Sequence, residues 1–249
     1  MRIAIAGGTG TLGRLVATRL RVQGHDVRVL SRSAPLFPVD LRTGAGLEHA
    51  LEGCEAVVDA SNDQSKQAAQ LLVEGSRRLL AAELTAGVRH HVCVSVVGCD
   101  QVPLAYFRLK AAQEQVVEQG PVPWTIVRAT QFHELLAGAL QAAGRWPVLP
   151  VPRARLRTVA CAEVAGLVAG VAAGPARRTR VEVAGPEPAD ARELVRSWRA
   201  GTGRRTPLLL PVPLPGRLGR ALRAGALSTD HPAVRADTSF SAFLTERQS

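Results

Sequence analysis

The stretch Arg2-Ile3-Ala4-Ile5-Ala6-Gly7-Gly8-Thr9-Gly10-Thr11-Leu12-Gly13 decides how the rest of the chain reads. Its first part, RIAIA, is a short apolar run of strand length that stops at a glycine-rich turn. From Thr11 the period changes: Leu12, Leu15, Val16 and Leu20 recur at helical spacing to about Gln23, and Gly24 is the stop. A strand, four glycines within seven residues and a helix form the context in which G-x-G-x-x-G carries meaning. Glycines permit a tight turn and close backbone approach, and the leading N–H groups and dipole of the helix favour a phosphate. Gly7, Gly8, Thr9, Gly10, Thr11, Leu12 and Gly13 are therefore expected to cradle the pyrophosphate of a dinucleotide.

Outward from this unit, strands and helices alternate. Asp26 to Ser31 reads as a second strand, Val39 to Leu41 as a short third, Leu47 to Leu51 as a helix and Glu55 to Ala60 as a fourth strand. Gln64 to Ala86 reads as one long helix and His90 to Ser95 as a fifth strand. A helix follows with Pro103 in its first turn, where the missing N–H costs nothing, and runs to about Gln119. Trp124 to Arg128 makes a sixth strand. The alternation predicts an α/β fold, a doubly wound parallel sheet of Rossmann type covered on both faces.

Beyond about Ala129 the rhythm loosens. Helices are expected at Phe132 to Ala143, Cys161 to Ala173 and Ala189 to Ala200, with a strand at Arg180 to Ala184. Pro207 to Pro215 carries four prolines and cannot be a central strand throughout. The expected organisation is a nucleotide-binding part over residues 1–130 and a small substrate-side lobe over 131–249, packed on the same sheet as one structural unit. The last dozen residues are expected to be poorly ordered.

At 249 residues with 46% apolar content the chain has ample material for a core. It has no apolar run of about 18 residues or more and no signal-peptide pattern at its N-terminus, so a membrane span is not expected. Cys54, Cys93, Cys99 and Cys161 lack CxxC or Cys/His metal spacing, which points to reduced thiols, no metal and a cytoplasmic protein. The net charge of +10 comes from dispersed arginines, with doublets at Arg77-Arg78, Arg177-Arg178 and Arg204-Arg205. With aromatics at 4%, no base-stacking platform is available, so specific nucleic-acid binding is not expected.

Against this arginine preference, lysine occurs only at Lys66 and Lys110, and Tyr106 is the only tyrosine. Tyr106 and Lys110 stand four residues apart, one turn on one helical face. A neighbouring cation favours a phenolate over a phenol, which suits a proton-transfer pair. The second strand ends Val29-Leu30-Ser31-Arg32-Ser33 without a carboxylate. An acidic residue at that place binds a ribose 2′-hydroxyl, whereas arginine pairs with a 2′-phosphate, so Arg32 with Ser31 and Ser33 predicts NADP(H) over NAD(H).

With these stretches in place the chain resembles the short-chain dehydrogenase/reductase superfamily, most nearly its atypical branch of NmrA-like, NAD(P)H-binding proteins. The resemblance is carried by AGGTGTLG at 6–13, VLSRS at 29–33, VDLR at 39–42, VVDASN at 57–62, VSVVG at 94–98, YFRLK at 106–110 and WTIVR at 124–128. It covers about the first 135 residues, with weaker later landmarks at 159–165 and 181–187. It implies that Asp40 and Leu41 contact adenine and that the loop after the strand at 55–60, with Asp59, Ala60, Ser61 and Asn62, runs beside the cofactor ribose. It further implies that Ser95 hydrogen-bonds a carbonyl oxygen, that Tyr106 supplies that oxygen with a proton, and that Lys110 holds the ribose hydroxyls. Hydride would pass between nicotinamide C4 and the carbonyl carbon. Two departures stand out: Arg128 is followed by Ala129 rather than the frequent proline, and Asn62 is not at the place of the superfamily's catalytic asparagine.

The remaining candidates are less specific. His90-His91 reads as a solvated strand end. Phe132 and His133 follow the sixth strand at the carboxyl edge, where substrates bind in such sheets, although His133 can equally pack the next helix. Phe132, Trp146 and Leu208 to Leu210 could line an apolar pocket or serve as core. Residues 216–224 read as a basic amphipathic surface helix. The expectation is an NADP(H)-dependent oxidoreductase for a small carbonyl or alcohol, a monomer or homodimer. The alternatives are a nucleotide-sensing regulator without turnover and an NAD(P)-dependent epimerase or dehydratase.

Overall fold

In a computed structural model, residues 1–143, 148–152, 154–203 and 208–246 are described. The first part runs β1 (Arg2–Ala6), α1 (Thr11–Val22), β2 (Asp26–Leu30), α2 (Leu47–Leu51), β3 (Ala56–Asp59), α3 (Ser76–Ala86), β4 (His90–Val96), α4 (Ala105–Glu118) and β5 (Trp124–Ala129). It continues through α5 (His133–Ala143), β6 (Val148–Pro152), β7 (Arg155–Leu156), α6 (Cys161–Ala172), β8 (Arg180–Ala184), β9 (Ala189–Asp190) and α7 (Ala191–Thr202). The last elements are β10 (Leu208–Val212), α8 (Gly216–Arg223), β11 (Val234–Arg235) and α9 (Phe240–Glu246).

Seven strands form one sheet in the order β11-β8-β5-β4-β3-β1-β2. β1 pairs in parallel with both β2 and β3, β3 with β4, and β8 with β11. The expected doubly wound α/β architecture is therefore present. Strands β3 and β5 are buried at every position, as strands covered on both faces must be, and their sequences AVVD and WTIVRA accordingly lack in-out alternation. The order reverses between β1 and β3, the place at which loops at the carboxyl ends part and leave room for a ligand.

The chain packs as two compact units. One comprises residues 1–95, 105–128 and 162–181, and its core includes Ala4, Leu30, Leu51, Val57, Leu79, Cys93 and Ile126. The other comprises 96–104, 129–161 and 182–249 and is built around Leu140, Leu194, Trp198, Phe240, Phe243 and Leu244. In this second unit α7 starts on a capping box: Asp190 accepts from the N–H groups of Arg192 and Glu193, and Glu193 accepts from the Asp190 N–H.

Several local expectations are corrected. Val39 to Leu41 forms no strand. Ser31 makes a single bridge to Pro38, which has no N–H to extend a ladder, and the chain turns back at once through Asp40 N–H to Ala45 O. The long helix does not begin at Gln64. Asp63 Oδ1 takes the Ser65 N–H, and a π-helical turn at Gln70–Gly75 precedes α3. Of the last dozen residues, expected to be poorly ordered, Phe240–Glu246 form α9 and bury Phe240, Phe243 and Leu244. Leu208 to Val212 pairs in parallel with β6 in a separate two-stranded sheet, where Pro211 is tolerated.

Candidate functional site

The glycine turn is shaped by backbone crowding. Gly7 sits at φ +71°, and a Cβ there would come within 2.8 Å of Ala60 O. A Cβ at Gly13 would lie 2.3 Å from Gly7 O, and one at Gly8 would lie 2.9 Å from Ile5 O. Side chains at these positions would push apart the β1 turn, the start of α1 and the loop after β3. Gly10 N–H closes the turn on Gly7 O at 2.9 Å. Gly10 is the N-cap of α1 and has no side chain to cap with; the first helical turn holds no acidic residue. Thr9 to Thr11 form its exposed lip, while Leu12 and Gly13 are buried. An open turn at a helix N-terminus with uncontested positive dipole fits a pyrophosphate.

Beside it, Ser31 Oγ and Ser33 Oγ lie 3.4 Å apart at the tip of β2. Arg32 is exposed and makes no ion pair with any described residue. Asp40 closes a local turn by accepting the Arg42 N–H at 2.9 Å, and Leu41 is buried in the core. Arg42 reaches Asp63 at 2.7 Å, tying this segment to the loop after β3. The Asp63 carboxyl is held below its ordinary range, first by hydrogen bonds from Ser65 and then by Arg42.

The loop after β3 meets α4 through a buried polar network. Tyr106 is half-buried and its hydroxyl donates to Asn62 Oδ1 at 3.0 Å. Lys110 is buried, with its ammonium donating to Val94 O at 2.8 Å and to Gln113 Oε1. The Gln113 amide then donates to Asp59 Oδ2 and Ser76 Oγ, each at 3.0 Å. Asp59 Oδ1 accepts from the N–H of Ser61 at 3.0 Å and from its hydroxyl at 2.5 Å. Tyr106 and Lys110 share a helix but are not hydrogen-bonded to each other; their polar ends hold different partners. Ser95 is buried on β4, next in sequence to the carbonyl that Lys110 holds.

Other candidates fall elsewhere. In the second unit His133 is fully buried; its Nε2 lies 3.0 Å from Thr238 O, and its ring packs on Phe240 and Phe243. Phe132 is half-buried and bridges to Val159. Trp146, Pro207 and the Arg204-Arg205 doublet lie outside the described residues. Leu208 and Leu210 are exposed, whereas Leu209 packs into the core of its unit.

His90-His91 is not a solvated strand end. His90 bridges Gly174 O at 3.0 Å and Thr125 Oγ1 at 2.9 Å, and His91 Nδ1 lies 2.8 Å from Glu83. Both rings are buried: His90 against β5 and the end of α6, His91 against Glu83 of α3. Arg128, whose missing proline neighbour had marked a departure, makes a two-point ion pair with Glu114 at 2.9 and 2.6 Å. Among the described residues no group of three or more His, Cys, Asp or Glu is placed to hold a metal. The four cysteines are buried, and burial together with Glu134 pushes the Cys161 thiol far up.

Sequence reasoning passed over Gln113 and gave Asp59 no role of its own. The available signal was a carboxylate ending the apolar run AVVD, and a glutamine three residues after the scarce lysine. Only the fold brings residues 59 and 113 together.

A profile of the family described as NAD(P)H-binding matches residues 7–173. A (4-alkanoyl-5-oxo-2,5-dihydrofuran-3-yl)methyl phosphate reductase of Streptomyces griseus is 33% identical over 210 residues, 77% of this chain and 70% of the relative. A photosystem II assembly factor of Trieres chinensis is 30% identical over 151 residues, 54% of this chain; the match spans only 47% of the relative's length. An NADPH-dependent quinone oxidoreductase of Escherichia coli has the same fold, with a TM-score of 0.80, 18% identity and coverage of 99% of this chain and all of that one. Among the described residues no helix is long and apolar enough to cross a membrane.

Proposed function

Since the chain belongs to the NAD(P)H-binding family, we propose that it is an NADP(H)-dependent oxidoreductase that reduces a small carbonyl compound. The observation that carries this reading is the Tyr106 hydroxyl at 3.0 Å from Asn62, on the loop whose Ala60 crowds the glycine turn. The chain's one phenol is thus hydrogen-bonded to the loop that crowds the glycine turn, one helical turn from a buried ammonium.

The residues divide the work as follows. Gly7 to Gly13 hold the pyrophosphate, and Arg32 with Ser31 and Ser33 takes the 2′-phosphate. An ammonium has three donors; Lys110 gives two to Val94 O and Gln113, and the third serves a ribose hydroxyl. The nicotinamide, when bound, supplies a hydride to the carbonyl carbon. Tyr106 gives its proton to the carbonyl oxygen, and Ser95 hydrogen-bonds the same oxygen, so the product is the alcohol. The Streptomyces relative is named for a ring substrate with two carbonyl-bearing positions and a phosphate ester, which suits a chain of net charge +10.

The test is NADPH oxidation by the purified chain with that furanone phosphate and with simpler ketones and quinones. Tyr106→Phe is expected to lower kcat by roughly 10²-fold or more. An undiminished rate in this variant overturns the acid role. A second reading, nucleotide binding without turnover, is favoured by the assembly-factor relative. It predicts NADPH binding by fluorescence titration with no consumption across the whole panel.

A further inference from the structure

Asp59, Gln113 and Ser76 are completely buried, and Lys110 nearly so. A buried carboxylate and a buried ammonium normally meet directly, because each alone costs several kcal/mol to desolvate. Here an amide stands between them, and its orientation is dictated by chemistry. The ammonium only donates and the carboxylate only accepts, so Gln113 must turn Oε1 to Lys110 and Nε2 to Asp59. Asp59 uses its other oxygen to hold Ser61, the neighbour of Asn62, which in turn holds Tyr106. Since Tyr106, Lys110 and Gln113 lie on one helix, the circuit is closed: helix α4 to loop 60–62 through Asn62, and back through Asp59 and Gln113.

We propose, on the reading of Tyr106 and Lys110 given above, that Asp59 and Gln113 are positioning residues for that pair. Held between the two charges, the Gln113 amide sets where the Lys110 ammonium sits and locks it to the loop beside the glycine turn. Lys110 gives one donor to Val94 O and one to the residue 113 acceptor, which leaves its third for the cofactor. Asp59 acts one step further back, fixing both the amide and the loop.

The circuit's polarity allows a rescue design. Gln113→Glu keeps an acceptor for Lys110 but sets two carboxylates against each other at the Asp59 contact. Adding Asp59→Asn restores a donor toward residue 113 while Oδ1 still accepts from Ser61. In the full-length chain, Gln113→Leu and Gln113→Glu should each lower kcat by about tenfold and weaken NADPH binding in fluorescence titration. The double variant Gln113→Glu with Asp59→Asn should return both to within about threefold of the parent.

A second readout does not depend on turnover. Lys66 is exposed and Lys110 buried, so ¹⁵N-labelled lysine side chains give two distinguishable ammonium signals. The buried signal should be slow to exchange in the parent, fast or shifted in both single variants, and restored in the double. Unchanged ammonium exchange and NADPH affinity in the folded Gln113→Leu chain overturn the proposal, as does a double variant no better than Gln113→Glu. If Tyr106→Phe keeps full activity while the Lys110 signal follows Gln113, the acid assignment fails and the anchoring of Lys110 stands.

Discussion

Strand β4 carries a buried charge cluster near each end, and the two are built on opposite plans. At His91 the ring meets the Glu83 carboxylate directly at 2.8 Å, with both side chains fully buried. At Val94 the carbonyl receives the Lys110 ammonium, whose counter-charge Asp59 is kept one amide away by Gln113. A separated pair satisfies both charges yet leaves the ammonium a donor in reserve. The difference separates a cluster that fastens α3 to β4 from one suited to ligand chemistry.

The sharpest way to break that comparison is Glu83→Gln, which leaves a buried histidine without its carboxylate. It is expected to cost about 3–5 kcal/mol of stability in denaturant unfolding, with kcat of the folded fraction unchanged. A kcat loss like that of Gln113→Leu would show that the two clusters do not differ in function.

The pH dependence of stability sharpens the same point. Burial alone would push His91 down, but the Glu83 charge overcomes it and holds the ring's proton well above the ordinary range. Burial pushes Glu83 up as well, so the pair retains its shared proton to high pH. A folded-state value raised above the unfolded one stabilises the fold fully below the unfolded value. That contribution is lost as pH rises through the folded one. Stability should therefore fall with rising pH above about 6.5, by at most about 1.4 kcal/mol per unit, and Glu83→Gln should flatten the slope. Thermal melts of the two chains at pH 6 and pH 9 check this; parallel slopes would remove the pair as their cause.

The smallest expected effect is at the cofactor's edge, away from both clusters. Arg32→Ala should weaken NADPH binding by about three- to tenfold and leave NADH nearly unchanged, because exposed charge contacts are screened. Equal losses for the two nucleotides in fluorescence titration would place the 2′-phosphate elsewhere.

Local signals made much of this protein legible. The glycine turn, the strand-helix alternation through Trp124 and the Tyr106–Lys110 spacing all depend on residues within a few positions of each other. Val39 to Leu41 misled because alternating apolar residues describe a strand, whereas Pro38 and the Asp40 turn deny it a ladder. His90-His91 misled because its partners, Glu83, Thr125 and Gly174, stand 8, 35 and 84 residues away. Nothing next to a histidine in sequence says that a helix will cover it.

By itself, then, the amino-acid sequence determined the α/β class, the glycine cradle at the first turn and the identity of the scarce phenol and ammonium on one helix. Periodicity and turn chemistry act over a few residues, so they survive in one dimension. What holds that phenol and ammonium was decided only by the tertiary structure. Asn62, Asp59 and Gln113 meet because the β3 loop folds against α4, bringing together residues 44 and 54 positions apart. Burial then compels each polar group to find its partner, and that requirement, which no single stretch of sequence expresses, fixed the amide between the charges.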